Sequence, residues 1–504
     1  MGKWKILILA ALLGCGAPEE GAQYVRINLG SEPQTTDPRK ARDPNAQTLV
    51  RMFFDGLTRI GPNDEPQLAL ASNIEVSRDG KTYTFTLREA KWSNGQLVRA
   101  QDFAYAWRTT LSPDFVTDNA YQLYLIKNAQ GVKEGKLPAD ELGIHTPDEK
   151  KLVLELEYPV PYLLELLATP YFYPIHEETD RNSPNWSEHP ESYVGNGPFL
   201  FRKWRHQDQI TVDKNPSYWD CSSVGLEGLI LTMVDGDTEM MLFEKSDLDW
   251  CGSPLSLIPV DAMDHLDDLE SSPRDETAFL RANTEKVPLP LRRALCLAVD
   301  RDMLTEHVAK GQLPARRLVP PSMQLQEAPY FHEGEVKNLT LEEVPPLRLT
   351  YSNSERAHLI AQTLQQQWLS SLGIKIELEG VERKVFFDRI SKQDYDLAYC
   401  SWGADFHDPV NFLEVFKSKS QSTNNTNWED VTYTQGLNDS NLLLDPHQRK
   451  EKLSQCEKIL LEAMPIIPLF HYSMFYRKAE NLQGVFLSSM GSLDFKWARL
   501  ENDH

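Results

Sequence analysis

LRLTYSNSERAHLIAQTLQQQWLSSLGIKIELEGVERKVFFDRISKQDYDLAYCSWGADFHDP, residues 347–409, is the stretch whose periodicity decides the fold. Leu347 to Tyr351 reads as a strand, and Glu355 to Leu372 follows as a helix with Ile360, Leu364 and Trp368 on one stripe. Gly373 stands where a left-handed C-cap belongs. A second strand is predicted at Ile374 to Leu378, a second helix around Lys384 to Lys392, and a third strand at Tyr395 to Ser401. Strands and helices alternating at this spacing imply a βαβαβ unit with a parallel sheet, hence an α/β fold. Ligands of such sheets sit beyond the carboxyl ends of the strands, which directs attention to Trp402-Gly403-Ala404-Asp405-Phe406-His407-Asp408-Pro409.

Outside this stretch the patterning continues. Thr82 to Leu87 alternates as a half-buried strand, and Ser93-Asn94-Gly95 is turn chemistry. Ala100 to Leu111 reads as a helix, Lys151 to Leu156 as a strand, and the aromatic, proline-bounded run Pro170 to Pro174 as a crossover between lobes. Near the end, a helix at His447 to Ala463 leads through Pro465 to an apolar strand, Ile466 to Tyr472. The full 504 residues allow about three domains. With 52 Lys plus Arg against 74 Asp plus Glu, the net charge of −22 argues against a protein that tracks nucleic-acid phosphates. A hydrophobic content of 41% is enough for real cores and excludes a mainly disordered acidic chain.

The first residues read as an export signal: Lys3 and Lys5 precede the apolar run Ile6 to Leu13. Those eight residues are too few to span a bilayer, which takes about 20. Leu12-Leu13-Gly14-Cys15 resembles the bacterial lipobox, so residues 1–14 are expected to leave, Cys15 to be acylated and 15–23 to form a tether. The alternative is an ordinary signal peptide with an incidental cysteine. Losing two lysines takes the net charge from −22 to −24. Of six cysteines, Cys15 aside, Cys221, Cys251, Cys296, Cys400 and Cys456 fit no zinc spacing. Buried free thiols are expected, with a Cys221–Cys251 disulfide as the alternative in an oxidising compartment.

No nucleophile elbow, P-loop or H-E-x-x-H motif occurs, which argues against the commonest enzyme classes. Asp405, His407 and Asp408 suggest either a metal site or ordinary loop polarity, and Asp300 with Asp302 suggests helix capping. His176, Glu177 and Glu178 read as solvated loop charge. Asp405 is the residue singled out. It follows a strand expected to be buried, beside Trp402 and Phe406, with no basic neighbour in sequence. A lone carboxylate there needs a cation or hydrogen bonds, and a ligand ammonium walled by aromatics supplies one. A capping or interlobe aspartate is the competing reading.

These residues sit inside a wider resemblance. Asn28-Leu29-Gly30-Ser31-Glu32-Pro33-Gln34-Thr35-Thr36-Asp37-Pro38 is similar to the opening of the periplasmic oligopeptide-binding proteins of solute-binding family 5. So are Thr84-Phe85-Thr86-Leu87-Arg88, Ala90-Lys91-Trp92-Ser93-Asn94-Gly95 and Ala100-Gln101-Asp102-Phe103. Further matches are Asn196-Gly197-Pro198-Phe199, Asn215-Pro216-Ser217-Tyr218-Trp219, Arg292-Arg293-Ala294-Leu295 and Val299-Asp300-Arg301.

The resemblance implies a three-lobed solute-binding fold of type II, cluster C, in which two hinged α/β lobes close over the ligand and an extra lobe fills out the first. Lobe I is expected at 24–57, 171–283 and 483–504, lobe II at 58–170, and lobe III at 284–482. It further implies that Asp405 binds a peptide's α-ammonium. Main-chain groups at Glu32, Pro33 and Gln34 and at Ser401, Trp402 and Gly403, with Ala404 and Phe406 alongside, would hold the peptide as an added strand. In enterobacterial relatives an arginine takes the peptide carboxylate where Tyr399 stands here, and a histidine where Ala357 stands. Arg389, Lys310 and His358 are the candidate substitutes.

The expected function is therefore an extracytoplasmic, non-enzymatic receptor delivering short peptides to an ABC importer. The expected protein is monomeric, anchored through Cys15, and without cofactor or metal. A murein-tripeptide or other specialised receptor of the same fold is the alternative. A secreted hydrolase using Asp405 and Asp408 is a more remote one. The acidic charge adds an expected bias toward cationic peptides.

Overall fold

The computed structural model describes residues 24–323, 325, 344, 346–443 and 445–501. The signal segment 1–14, the tether 15–23 and Cys15 lie outside these residues. Two β-sheets dominate. The first covers part of residues 71–155 and contains β2 (Ala71–Val76), β3 (Thr82–Leu87), β4 (Ile144–His145) and β5 (Lys151–Glu155) in the antiparallel order β2-β3-β5-β4. In β3 the alternation seen in sequence is the burial pattern: Tyr83, Phe85 and Leu87 point inward. Helix α2 (Ala100–Thr110) follows Ser93-Asn94-Gly95, where Gly95 takes φ +88°. Phe103 and Trp107 of α2 are fully buried, and Asp102 accepts the Arg99 N–H at 2.8 Å and the Trp92 indole N–H at 3.1 Å.

The second sheet has 11 strands and runs through most of the molecule. One flank holds β1 (Tyr24–Asn28), β6 (Phe199–Arg205), β7 (Gln209–Lys214), β8 (Gly228–Thr232) and β9 (Trp250–Gly252), in the order β9-β1-β8-β7-β6. The other flank is the predicted βαβαβ unit: β11 (Leu347–Ser352), α4 (Glu355–Leu372), β12 (Ile376–Val381), α5 (Arg383–Ser391) and β13 (Leu397–Gly403). β11 pairs in parallel with both β12 and β13. Ser354 caps α4 by accepting the Ala357 N–H, and Gly373 ends it in the left-handed region at φ +68°. Trp368 is buried and donates to Leu295 O at 2.9 Å, which fixes α4 against the helix Leu289–Leu297.

Two 13-residue strands, β10 (Glu270–Ala282) and β14 (Ile466–Lys478), join the flanks. They pair antiparallel, with a register slip between Pro273 and Thr277. Beyond the slip β10 also pairs with β13, while the far end of β14 pairs with β9. A slip of this kind bends a strand and increases its twist. The C-terminal strand thus runs six residues past its expected end at Tyr472, because tertiary pairing carries the mixed-polarity run to Lys478.

Several resemblance motifs turn out to hold the fold together. Asp55 accepts from the Tyr218 hydroxyl at 2.7 Å and the Trp219 indole at 2.9 Å, and its backbone is bracketed by Asn196. Arg59 links Asp55 to Asp494 in a buried triad. At Gly197 a Cβ would stand 2.5 Å from the Phe54 nitrogen, so no larger residue fits. The Arg301 side chain is fully buried and donates to Pro468 O at 2.9 Å. Asp300 caps its short helix through the Met303 N–H, while His176 corrects the reading of solvated loop charge. It is 6% exposed, caps the helix Glu177–Asn182 and meets Gln96 Oε1 at 2.7 Å. Cys221, Cys251, Cys296, Cys400 and Cys456 are all free thiols, so the Cys221–Cys251 disulfide is not formed.

Candidate functional site

β13 is hydrogen bonded along its whole length on one side only. In the antiparallel pair with β10, Asn283 N donates to Asp396 O and Ala404 N to Asp275 O. The alternation of an antiparallel ladder then turns the N–H and C=O of Ala398, Cys400 and Trp402 toward β10. Those of Tyr399, Ser401 and Gly403 point the other way. On that side β11 reaches only Leu397 and Ala398. The edge from Tyr399 to Gly403 is open, and an open edge is a template for an added strand. A second set of free main-chain groups lies in the loop after β1, where neither Glu32 nor Gln34 has a main-chain hydrogen bond among the described residues. Pro33 between them is buried, and the Glu32 carboxylate meets His206 Nδ1 at 2.7 Å.

The open edge ends at Asp405. Trp402 donates its indole N–H to Asn411 Oδ1 at 2.9 Å, and the Asp405 N–H approaches the same oxygen at 3.4 Å. Phe406 stacks on Tyr162, with centroids 4.3 Å apart and planes 6° from parallel. Asp405 keeps an exposed surface, yet protein surrounds it on its other sides. That desolvation raises its pKa, and a hydrogen bond from Asn411 only partly opposes the rise. No cation pairs with Asp405 among the described residues. Its charge reaches the phenols of Tyr121 and Tyr171, which bring two further rings to the same place. Nothing in sequence singles out Asn411, Tyr121 or Tyr171; only the fold brings them beside Asp405.

The neighbouring acids are differently placed. Asp408 is buried and receives two hydrogen bonds from Arg449, at 2.6 and 2.9 Å. His407 Nδ1 lies 2.6 Å from buried Asp275; burial alone would lower its pKa, but the Asp275 carboxylate outweighs burial and raises it. Asp405, His407 and Asp408 therefore have separate environments, and no group of three or more His, Cys, Asp or Glu side chains arranged for a metal occurs among the described residues.

The basic candidates for the other end of the ligand are engaged. Arg389 bridges to Glu379 at 2.5 Å, Lys310 to Asp264 at 2.5 Å, and His358 Nδ1 meets the Tyr351 hydroxyl at 2.5 Å. Tyr399 is half-buried beside Tyr472, and desolvation together with that phenol raises its pKa well above the usual phenol value. Arg356, in the first turn of α4, acts on both phenols and has no hydrogen bond or ion pair among the described residues. It was missed in the sequence because an arginine opening a helix carries no distinguishing pattern.

The fold has counterparts in known proteins. The model of bacterial extracellular solute-binding proteins, family 5 Middle, matches residues 65–424. The chain belongs to solute-binding family 5. This family 5 protein is 36% identical to the oligopeptide-binding protein OppA of Bacillus subtilis over 504 residues, 95% of this chain and 92% of that protein. It is 30% identical to the dipeptide-binding protein DppE of the same organism, over 97% of this chain and 96% of that protein. Among solved structures, the murein tripeptide binding protein MppA in its unliganded open form superposes with a TM-score of 0.86 at 25% identity, covering 95% of this chain and 98% of that one. The mixed α/β architecture of this family 5 protein is the fold of these receptors.

Proposed function

We propose that this family 5 protein is an extracytoplasmic receptor that binds short peptides in a cleft between hinged lobes and delivers them to an ABC-type importer. The observation that carries the reading is the open edge of Tyr399, Ser401 and Gly403 ending at the unpaired carboxylate of Asp405. A peptide main chain completes the edge whatever its side chains are, and its α-ammonium supplies the cation that Asp405 lacks. Its relatives' names as oligopeptide- and dipeptide-binding proteins support the same reading. We assign the ligand's carboxylate to Arg356, because Arg389, Lys310 and His358 already have partners. Six positions separate Tyr399 from Asp405, about 20 Å at roughly 3.4 Å per residue. That span bounds an extended peptide at about six residues.

The hinge is placed at the slip between Pro273 and Thr277 and the facing part of β14. Closing there brings the Glu32–Gln34 loop and the β13 edge onto opposite sides of one ligand. The open-form likeness supports reading the described state as the open one. The receptor acts by binding alone and as a monomer, and is tethered by lipid on Cys15.

Calorimetric titration with a mixed set of di- to pentapeptides tests the proposal, with Asp405→Ala and Arg356→Gln beside the wild type. Removing one partner of a desolvated charge pair costs about 2–5 kcal/mol, so Asp405→Ala weakens binding at least thirtyfold. Arg356→Gln weakens free-acid peptides and leaves C-terminally amidated ones unchanged. Wild-type protein that binds no peptide, or unchanged affinity in Asp405→Ala, contradicts the reading. Competition with murein tripeptide separates the specialised receptor from the general one.

A further inference from the structure

One small cavity has a charge opposite to that of the protein as a whole. It has a volume of about 140 Å³ and lies between α1 (Pro44–Phe53), the loop around Gly491 and the β10 residue Arg274. Arg42, Arg51 and Arg274 line it with Gln47 and Thr48, and no carboxylate does. Arg42 shares an exposed bridge with Asp118 at 2.7 Å, and Arg274 pairs with Glu276 at 3.1 Å. The half-buried Arg51 guanidinium has no hydrogen bond or ion pair among the described residues.

Two chains of contacts link the cavity's lining to the surroundings of Asp405. Gln47 Nε2 donates to the Tyr171 hydroxyl at 3.2 Å, and the charges of Arg51, Asp405 and Arg42 all act on that phenol. From the other wall, Asp275, next to Arg274, accepts the Ala404 N–H at 2.8 Å, one residue before Asp405. A volume of 140 Å³ is well below the ~300–1,000 Å³ of pockets that enclose whole small molecules, and suits one side chain.

We propose that this cavity is an anion subsite beside the ammonium site, taking a carboxylate carried by the first or second residue of the bound peptide, with Arg51 as the residue that selects it. The inference rests on the peptide-receptor reading and adds a side-chain preference to it. A guanidinium partly withdrawn from water and lacking an acceptor can donate two parallel hydrogen bonds to a side-chain carboxylate, which a lysine ammonium cannot accept. Asp118 and Glu276 offset Arg42 and Arg274 at close range, but no acid pairs with Arg51 among the described residues, and the other surface acids behind the net charge of −22 act through a screening length of about 8 Å at physiological salt. Local arginines therefore outweigh the global sign, and the cationic bias inferred from composition is reversed at this position.

Titration of wild-type protein with Ala-Ala-Ala, Glu-Ala-Ala, Ala-Glu-Ala and their lysine counterparts tests this at physiological salt. One glutamate peptide binds at least tenfold more tightly than its lysine twin. Arg51→Gln brings that ratio to within twofold of one while leaving Ala-Ala-Ala affinity unchanged. Esterifying the glutamate side chain removes the same tenfold from the unaltered protein, so the test does not depend on the variant folding. Equal affinities for glutamate and lysine peptides, or a preference that survives both Arg51→Gln and esterification, overturn the subsite but leave the receptor reading standing. Failure of every peptide to bind wild-type protein overturns both.

Discussion

Asp405 and Asp408 lie three residues apart in one loop, and their surroundings give them different tasks. Asp408 is shut away from water and neutralised by two hydrogen bonds from Arg449. Asp405 has only Asn411 and the nearby rings, with water on its open side. An acid–base pair for hydrolysis needs a second carboxylate that can exchange protons, which Asp408 in its ion pair is poorly placed to do. Arg449→Met leaves a buried carboxylate unpaired, and urea denaturation is expected to show a loss of about 3–5 kcal/mol. Asp405→Ala is expected to change stability by less than about 1 kcal/mol, so its binding defect is local. Asp405 was legible in sequence because an acid after an apolar strand, flanked by Trp402 and Phe406, has no local reason to be there. Arg51 and Arg356 were not legible, since an unpaired arginine is defined by partners it lacks in three dimensions.

At the scale of elements, α4 and its flanking strands were readable because one face of each is buried and the periodicity survives in the sequence. The first half of β14 was readable as the apolar strand Ile466 to Tyr472, whereas β10 was not. Glu270-Ser271-Ser272-Pro273 has neither alternation nor β-branched residues, and it is a strand because β14 pairs with it. The short helix α3 (Leu163–Leu167) was likewise invisible, although the residue that caps it packs on the Asp405 loop. Tyr162 stacks on Phe406, and Glu165 lies near His407, Asp408 and Arg449. Burial, with Asp408 adding to it, pushes the Glu165 carboxyl up to about 7 from an ordinary 4.5, while His407 and Arg449 oppose the rise. The folded protein therefore holds this proton more tightly than the unfolded chain. The resulting stability is complete below about pH 4.5 and is lost as pH rises through about 7. Glu165→Gln, which stays neutral, should flatten the melting temperature across that window relative to wild type. An unchanged slope would assign the titration elsewhere.

For the whole molecule, length alone suggested about three domains, and one sheet of 11 strands ties the flanks together through two long strands. In the proposed reading a bend at that slip moves a whole flank, and binding energy at Asp405 and the β13 edge shifts the protein between open and closed populations. Capture is useful only near the importer, which is the task proposed for the lipid on Cys15. Cys15→Ser is expected to move the protein from the membrane to the soluble extracytoplasmic fraction with peptide affinity unchanged. Retention at the membrane would remove the lipid anchor from the account. The central claim is that a free α-ammonium completes the site at Asp405. Calorimetric titration of wild-type protein with one tripeptide and its N-acetylated twin tests it most directly. The account predicts that the free amine binds at least thirtyfold more tightly, and equal affinities, or binding of neither, would contradict it.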